Sequence, residues 1–170
     1  MRCPQSNKFH GSLGTRGIFK DKKMIINEKK SPLEQELISG KPVVTTTFGN
    51  SMEPLLYSRS TRVVICKTKE ELHRNDLPVY KRPTGQFVMH RIIKKDKDFY
   101  YTRGDNRVGL EQVPKEWVLG VVTEIYRKKK HFTVRNAGYR FYVAFWNGIY
   151  PFRFIWHQGK RVIDKVRKIR

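Results

Sequence analysis

The chain has no long apolar run. None of its 170 residues lies in a stretch of the ~18 apolar residues that a membrane-crossing helix needs. Its N-terminus also lacks the apolar core, about 7–15 residues long, of a secretory signal. Cysteine is scarce: Cys3 and Cys66 lie far apart, so neither a disulfide framework nor a metal cluster is expected, and a reducing compartment is the simplest fit. Acidic residues are few, 15 against 36 Lys and Arg, for a formal net charge of +21. Such an excess suits an anionic partner. It is uneven: residues 1–50 hold 9 basic and 4 acidic groups, residues 51–126 hold 14 and 10, and residues 127–170 hold 13 and 1. The charge therefore characterises the tail more than the centre. These absences predict a cytoplasmic protein, or one held peripherally at a membrane, with no signal peptide and no transmembrane helix.

The length suits one domain with extensions. Residues 1–30 read as a flexible basic leader, since Gly, Ser, Lys and Arg recur there without period. In 31-SPLEQELISGKP-42, Ser31 can cap a helix, Pro32 suits its first position, Glu34 completes a capping box and Gly40 can stop it. Leu33 and Leu37 would face the core. The period then turns to β. The runs 43–48, 62–66, 78–82, 86–95, 99–103, 117–127 and 131–135 are rich in Val, Ile, Phe, Tyr and Thr, and turn residues separate several of them. A mainly β, antiparallel domain is predicted over 31–135, followed by an aromatic and basic C-terminal extension over 136–170. Gly148 and Pro151 exclude a single unbroken helix in that extension.

One short stretch is not explained by packing. In 49-GNSMEPLL-56, Ser51 follows a β-branched run, in a position where a serine is ordinarily a turn or cap residue. A base would make it a nucleophile. His90 lies in the run 86-QFVMHRII-93, where Val88 and Ile92 would share its face and shield it from water. A neutral imidazole can take a serine's proton at working pH. A carboxylate beside it would fix the tautomer and stabilise the imidazolium. Asp105, in the Gly104-Asp105-Asn106 turn, and Glu111 are the two candidates. His10, His73, His131 and His157 have no such surroundings and read as surface residues.

Ser51-Met52-Glu53-Pro54-Leu55, the Asp76-led run 76-DLPVY-80, His90-Arg91-Ile92-Ile93 and Gly104-Asp105-Asn106 together resemble the signal peptidase and LexA-like superfamily of serine peptidases. The likeness covers about residues 43–125. A histidine ahead of Arg-Ile resembles the endoplasmic-reticulum and archaeal-type signal peptidases, which use histidine where bacterial relatives use lysine. The resemblance implies a signal-peptidase-like β fold, Ser51 as nucleophile and His90 as general base. It makes Asp105 the third member, with Glu111 the alternative, one methylene longer than the aspartate such enzymes carry. Met52 and Pro54 would shape the loop, and the Ser51 amide, helped by Asn50, would hold the oxyanion, because Gly49 stands where some relatives place a serine. No metal or organic cofactor is implied.

The expected function is that of a serine endopeptidase removing a leader or signal-like segment from a precursor bound as an extended strand. The alternative is an inactive basic β-rich module binding nucleic acid or an anionic membrane surface. Against nucleic acid, the sequence has no stacking platform, zinc site or helix-turn-helix pair. Residues 139–170 mix aromatic and basic side chains in a way that suits peripheral contact with an anionic membrane or a partner protein. Within them 159–170 has the spacing of a basic amphipathic helix.

Overall fold

The computed structural model describes residues 31–68, 70–128 and 130–156. The leader 1–30 and the basic helix expected over 159–170 lie outside the described residues. The chain enters through helix α1 (Pro32–Ile38), which has the expected capping box: the Glu34 N–H donates to Ser31 Oγ, and the Ser31 N–H donates to Glu34 Oε2 at 2.9 Å. Gly40, at φ 81°, ends the helix, and the Lys41 N–H reaches back to the Glu36 carbonyl. Leu33 and Leu37 pack into the core, as their spacing requires.

The domain is mainly antiparallel β. One sheet contains β1 (Val43–Thr46), β2 (Thr61–Cys66), β3 (Pro78–Lys81), β4 (Phe87–Met89), β8 (Val118–Arg127) and β9 (Lys130–Thr133). A smaller meander contains β5 (Arg91–Lys95), β6 (Phe99–Arg103) and β7 (Glu111–Pro114). The ten-residue β8 is the spine of the large sheet, whose order is β1-β2-β8-β3-β4. It pairs with β2 on one side, and on the other with β3 near its start and β9 near its end. Gly120 permits the β2–β8 approach, since a Cβ there would meet the Cys66 carbonyl oxygen at 2.8 Å. The central strands bury Val63, Ile65, Val79, Val122 and Ile125 beneath α1 and the start of α2 (Ala137–Gly148).

Two expectations are corrected. The run 86–95 is not one strand, because the chain leaves the large sheet after Met89 and joins the meander at Arg91. His90 occupies the crossing, so Ile92 packs with Leu72, Tyr100 and Val121 rather than sharing a face with it. The sequence reading also omitted β7, a strand whose Glu, Gln and Pro content is unfavourable and whose place at the meander's edge tolerates it. After α2, a turn residue at 149 precedes helical backbone over 150–156, the interruption expected of Gly148 and Pro151.

Candidate functional site

The loop after β1 is tied at its base. The Thr47 N–H donates to the Thr61 carbonyl at 2.9 Å, the Arg59 N–H to the Thr47 carbonyl at 2.8 Å, and Thr47 Oγ1 to the Tyr57 carbonyl. Gly49 makes the reversal with φ 81°, a conformation other residues adopt only with strain. Met52, Leu55 and Leu56 then sink into the core, and Arg127 donates to the Pro54 carbonyl at 2.8 Å. Ser51 thus sits on an anchored loop with its side chain half-buried at the wall of a groove of about 660 Å³.

The Gly104-Asp105-Asn106 turn fixes this loop from outside. The Asn106 N–H donates to the Ser51 carbonyl at 2.8 Å, Asn106 Nδ2 to the Asn50 carbonyl and Arg107 to Asn50 Oδ1, each at 3.1 Å. Gly104 lies so close that a Cβ there would be 2.5 Å from the Ser51 carbonyl oxygen. The Asp105 carboxylate turns away from the groove. Arg91 holds it bidentately, Nε to Oδ1 at 2.8 Å and Nη2 to Oδ2 at 2.7 Å, and the Tyr142 hydroxyl donates to Oδ2 at 3.1 Å. The ion pair is deeply buried, with side chains 1% and 3% exposed.

His90 lines the same groove as Ser51. Its position at the crossing between sheets explains the arrangement: His90 faces the groove while the next residue, Arg91, is buried against Asp105. The Tyr80 hydroxyl lies 3.2 Å from His90 Nδ1 and donates to Glu111 Oε2 at 2.8 Å. With its proton so placed, the Tyr80 oxygen accepts from Nδ1–H, and Glu111 Oε2 itself is 3.4 Å from Nδ1. This selects the Nδ1–H tautomer and leaves Nε2 as the basic nitrogen, without a protein partner among the described residues. Arg82 grips both oxygens of Glu111, Nε to Oε1 at 2.7 Å and Nη2 to Oε2 at 2.6 Å.

Burial lowers the His90 pKa; Glu111 opposes that effect, while the Arg82 and Arg107 charges add to it. The imidazole is accordingly neutral at neutral pH. Burial works to raise the Glu111 pKa, but hydrogen bonds from Arg82 and Tyr80 prevail and hold it below the ordinary value. Burial pushes the Tyr80 hydroxyl well above its ordinary pKa, so it stays protonated and can donate.

Of the residues singled out from sequence, Ser51 and His90 meet at one groove, although no hydrogen bond joins them among the described residues. Glu111 is the carboxylate at the imidazole. The ranking of Asp105 above Glu111 does not fit this geometry, because Asp105 is taken up by Arg91 and Tyr142. Asn50 and Met52 line the groove beside Ser51, whereas Pro54 lies deeper in the loop, with its carbonyl held by Arg127. Asp76 accepts from the His73 N–H in a local turn. Tyr80 and Arg82 were not anticipated. Their signal was present, since Arg82 follows Tyr80 by two residues just past the end of β3 and a buried tyrosine hydroxyl needs a partner. Among the described residues no group of three His, Cys, Asp or Glu side chains could hold a metal.

The groove runs between the two edges of the large sheet. Thr45 to Phe48 line one wall, from β1 onward, and Gln86 to Met89 the other, through β4. Among the described residues both strands are edges, a placement that offers backbone groups to an added strand. No protein-family model and no curated protein matches the chain.

Proposed function

We propose that this chain is a serine endopeptidase of the signal-peptidase-like class, acting on a peptide or protein bound as an extended strand between β1 and β4. Ser51 Oγ attacks the scissile carbonyl and passes its proton to His90 Nε2. The Ser51 N–H stabilises the resulting oxyanion. The imidazolium then protonates the departing amine, leaving an acyl-enzyme on Ser51, and His90 activates the water that releases it. Glu111, acting directly and through the Tyr80 hydroxyl, holds the ring and stabilises its charged form. Asp105 acts on the scaffold, joining the strand that follows His90 to the turn that braces Ser51. Leader removal, and a preference for small residues before the scissile bond, follow from the resemblance to signal peptidases.

The observation that carries this reading is a neutral imidazole, fixed at Nδ1 and lining one groove with a serine on an anchored loop. The hydroxyl and imidazole have to close to ~3 Å when substrate fills the groove, as such bonds do in enzymes that hold them long when free. The test is cleavage of a peptide library by wild type, Ser51→Ala and His90→Ala, read by mass spectrometry. The wild type should give defined products and both variants none. Equal product patterns from all three would remove the peptidase assignment and leave a basic binding module.

A further inference from the structure

We propose that the outer face of α2 and of the helical residues 150–156 is a docking surface for an anionic lipid bilayer. This segment is apolar on both sides, and only one side is used by the fold. On the inner side Tyr139 and Val143 are buried in the core. Trp146 Nε1 donates to the Asp105 carbonyl at 2.9 Å, Asn147 Nδ2 to Asn75 Oδ1 at 3.1 Å and the Tyr150 hydroxyl to the Val108 carbonyl at 2.7 Å. On the outer side Phe141 is 74% exposed, Phe145 55%, Phe152 76%, Ile155 68% and Trp156 75%. Phe141 and Phe145 on α2, and Phe152 and Trp156 beyond the turn residue 149, are each four apart, so each pair shares a face of its helical stretch. An exposed aromatic patch of this extent marks an interaction face, and it has no cover among the described residues.

The charge along this part of the sequence identifies the occupant. The sequence has no acidic residue between Glu124 and Asp164, whereas Arg140 lies beside Phe141, and Lys160, Arg161, Lys165, Arg167 and Lys168 follow the last aromatic. Aromatic rings suit the boundary between headgroups and acyl chains, and arginine and lysine suit lipid phosphate. A nucleic acid would use the cations but leave Phe152 and Ile155 in water. No described helix is long and apolar enough to cross a membrane, so the segment lies in the surface plane. Docking of this kind uses groups that the fold leaves idle. None of the inner-face bonds to the Asp105 turn has to break.

The test uses the full chain carrying Ser51→Ala, so that it stands apart from the peptidase reading. Sedimentation is measured with vesicles of phosphatidylcholine alone and with about 30% phosphatidylserine, an anionic lipid. Binding is expected on the anionic vesicles, weakening at about 0.5 M salt. The triple variant Phe141→Ser, Phe145→Ser, Phe152→Ser should lose at least about 10-fold in partitioning while keeping its melting transition, because these rings touch solvent rather than core. In the parent chain tryptophan emission should shift blue on binding, and Trp156→Phe should remove much of that shift. The proposal is overturned by equal binding of parent and triple variant, or by no binding to any vesicle. Self-association without lipid that the triple variant abolishes would instead assign the face to a second copy of the chain. Retention on DNA that the triple variant preserves, with no vesicle binding, would assign the charge to nucleic acid.

Discussion

Replacing Asp105 by asparagine separates an anchoring carboxylate from one that serves the imidazole. In the wild type the Arg91 and Asp105 side chains are 1% and 3% exposed and share two short bonds, at 2.8 and 2.7 Å. Asparagine keeps the shape and one acceptor oxygen but removes the charge, leaving the guanidinium buried without its counter-charge, beside the Tyr139 hydroxyl and the Asn75 carbonyl. Breaking one side of a buried pair costs about 3–5 kcal/mol. The Tyr142 hydroxyl also loses a charged acceptor, and the strength of that bond falls toward the ~1 kcal/mol of a neutral one. At about 2–4 °C per kcal/mol for a protein of this size, the melting temperature should fall by roughly 6–20 °C. Urea unfolding followed by far-ultraviolet circular dichroism gives the free energy, and carbon-detected NMR gives the His90 titration. Stability should collapse while the imidazole titrates as before. The reasoning is refuted if Asp105→Asn stays within about 0.5 kcal/mol of wild type and the His90 titration moves instead. Glu111→Gln is the converse: it should lower the His90 pKa further, because Glu111 is the group that raises it.

Three further outcomes follow from the same contacts. Gly104→Ala should destabilise the domain by about 1–3 kcal/mol and sharply reduce cleavage, because its Cβ would lie 2.5 Å from the Ser51 carbonyl oxygen and must push the nucleophile loop; urea titration and steady-state kinetics measure the two effects. Tyr80→Phe should lower kcat about 10-fold with little change in KM, since the hydroxyl orients His90 without lining the groove; an unchanged kcat would discard the relay. The depressed His90 pKa makes the unfolded state the better proton acceptor between the folded value and the ordinary ~6.5. Stability contributed by the buried neutral ring is thus present above that ordinary value and lost as pH falls toward the folded one. The acid limb of kcat/KM should likewise lie below the ordinary imidazole range. Denaturation midpoints of wild type and His90→Gln, compared across roughly pH 4–7.5, should converge at the acid end.

Local chemistry along the chain determined the kinds of element. Ser31, Pro32 and Glu34 start α1 because their side chains satisfy helix N–H groups over three residues, a distance the sequence displays directly. The β-branched runs became strands for a similarly local reason, and the order of the serine, histidine and Gly-Asp-Asn motifs named the residues worth following. Which partners those residues meet was settled only in three dimensions. Alternation along 86–95 gives the two faces of a strand, but not that the strand changes sheets at His90. That crossing puts the imidazole in the groove and Arg91 in the interior. Nor does spacing choose between two carboxylates. Glu111 reaches Tyr80 and Arg82 through β6–β7 pairing across about 30 residues, while a buried guanidinium claims Asp105. A buried charge must be matched by the nearest opposite charge the fold supplies, and nearness there is a property of sheet pairing rather than of sequence separation.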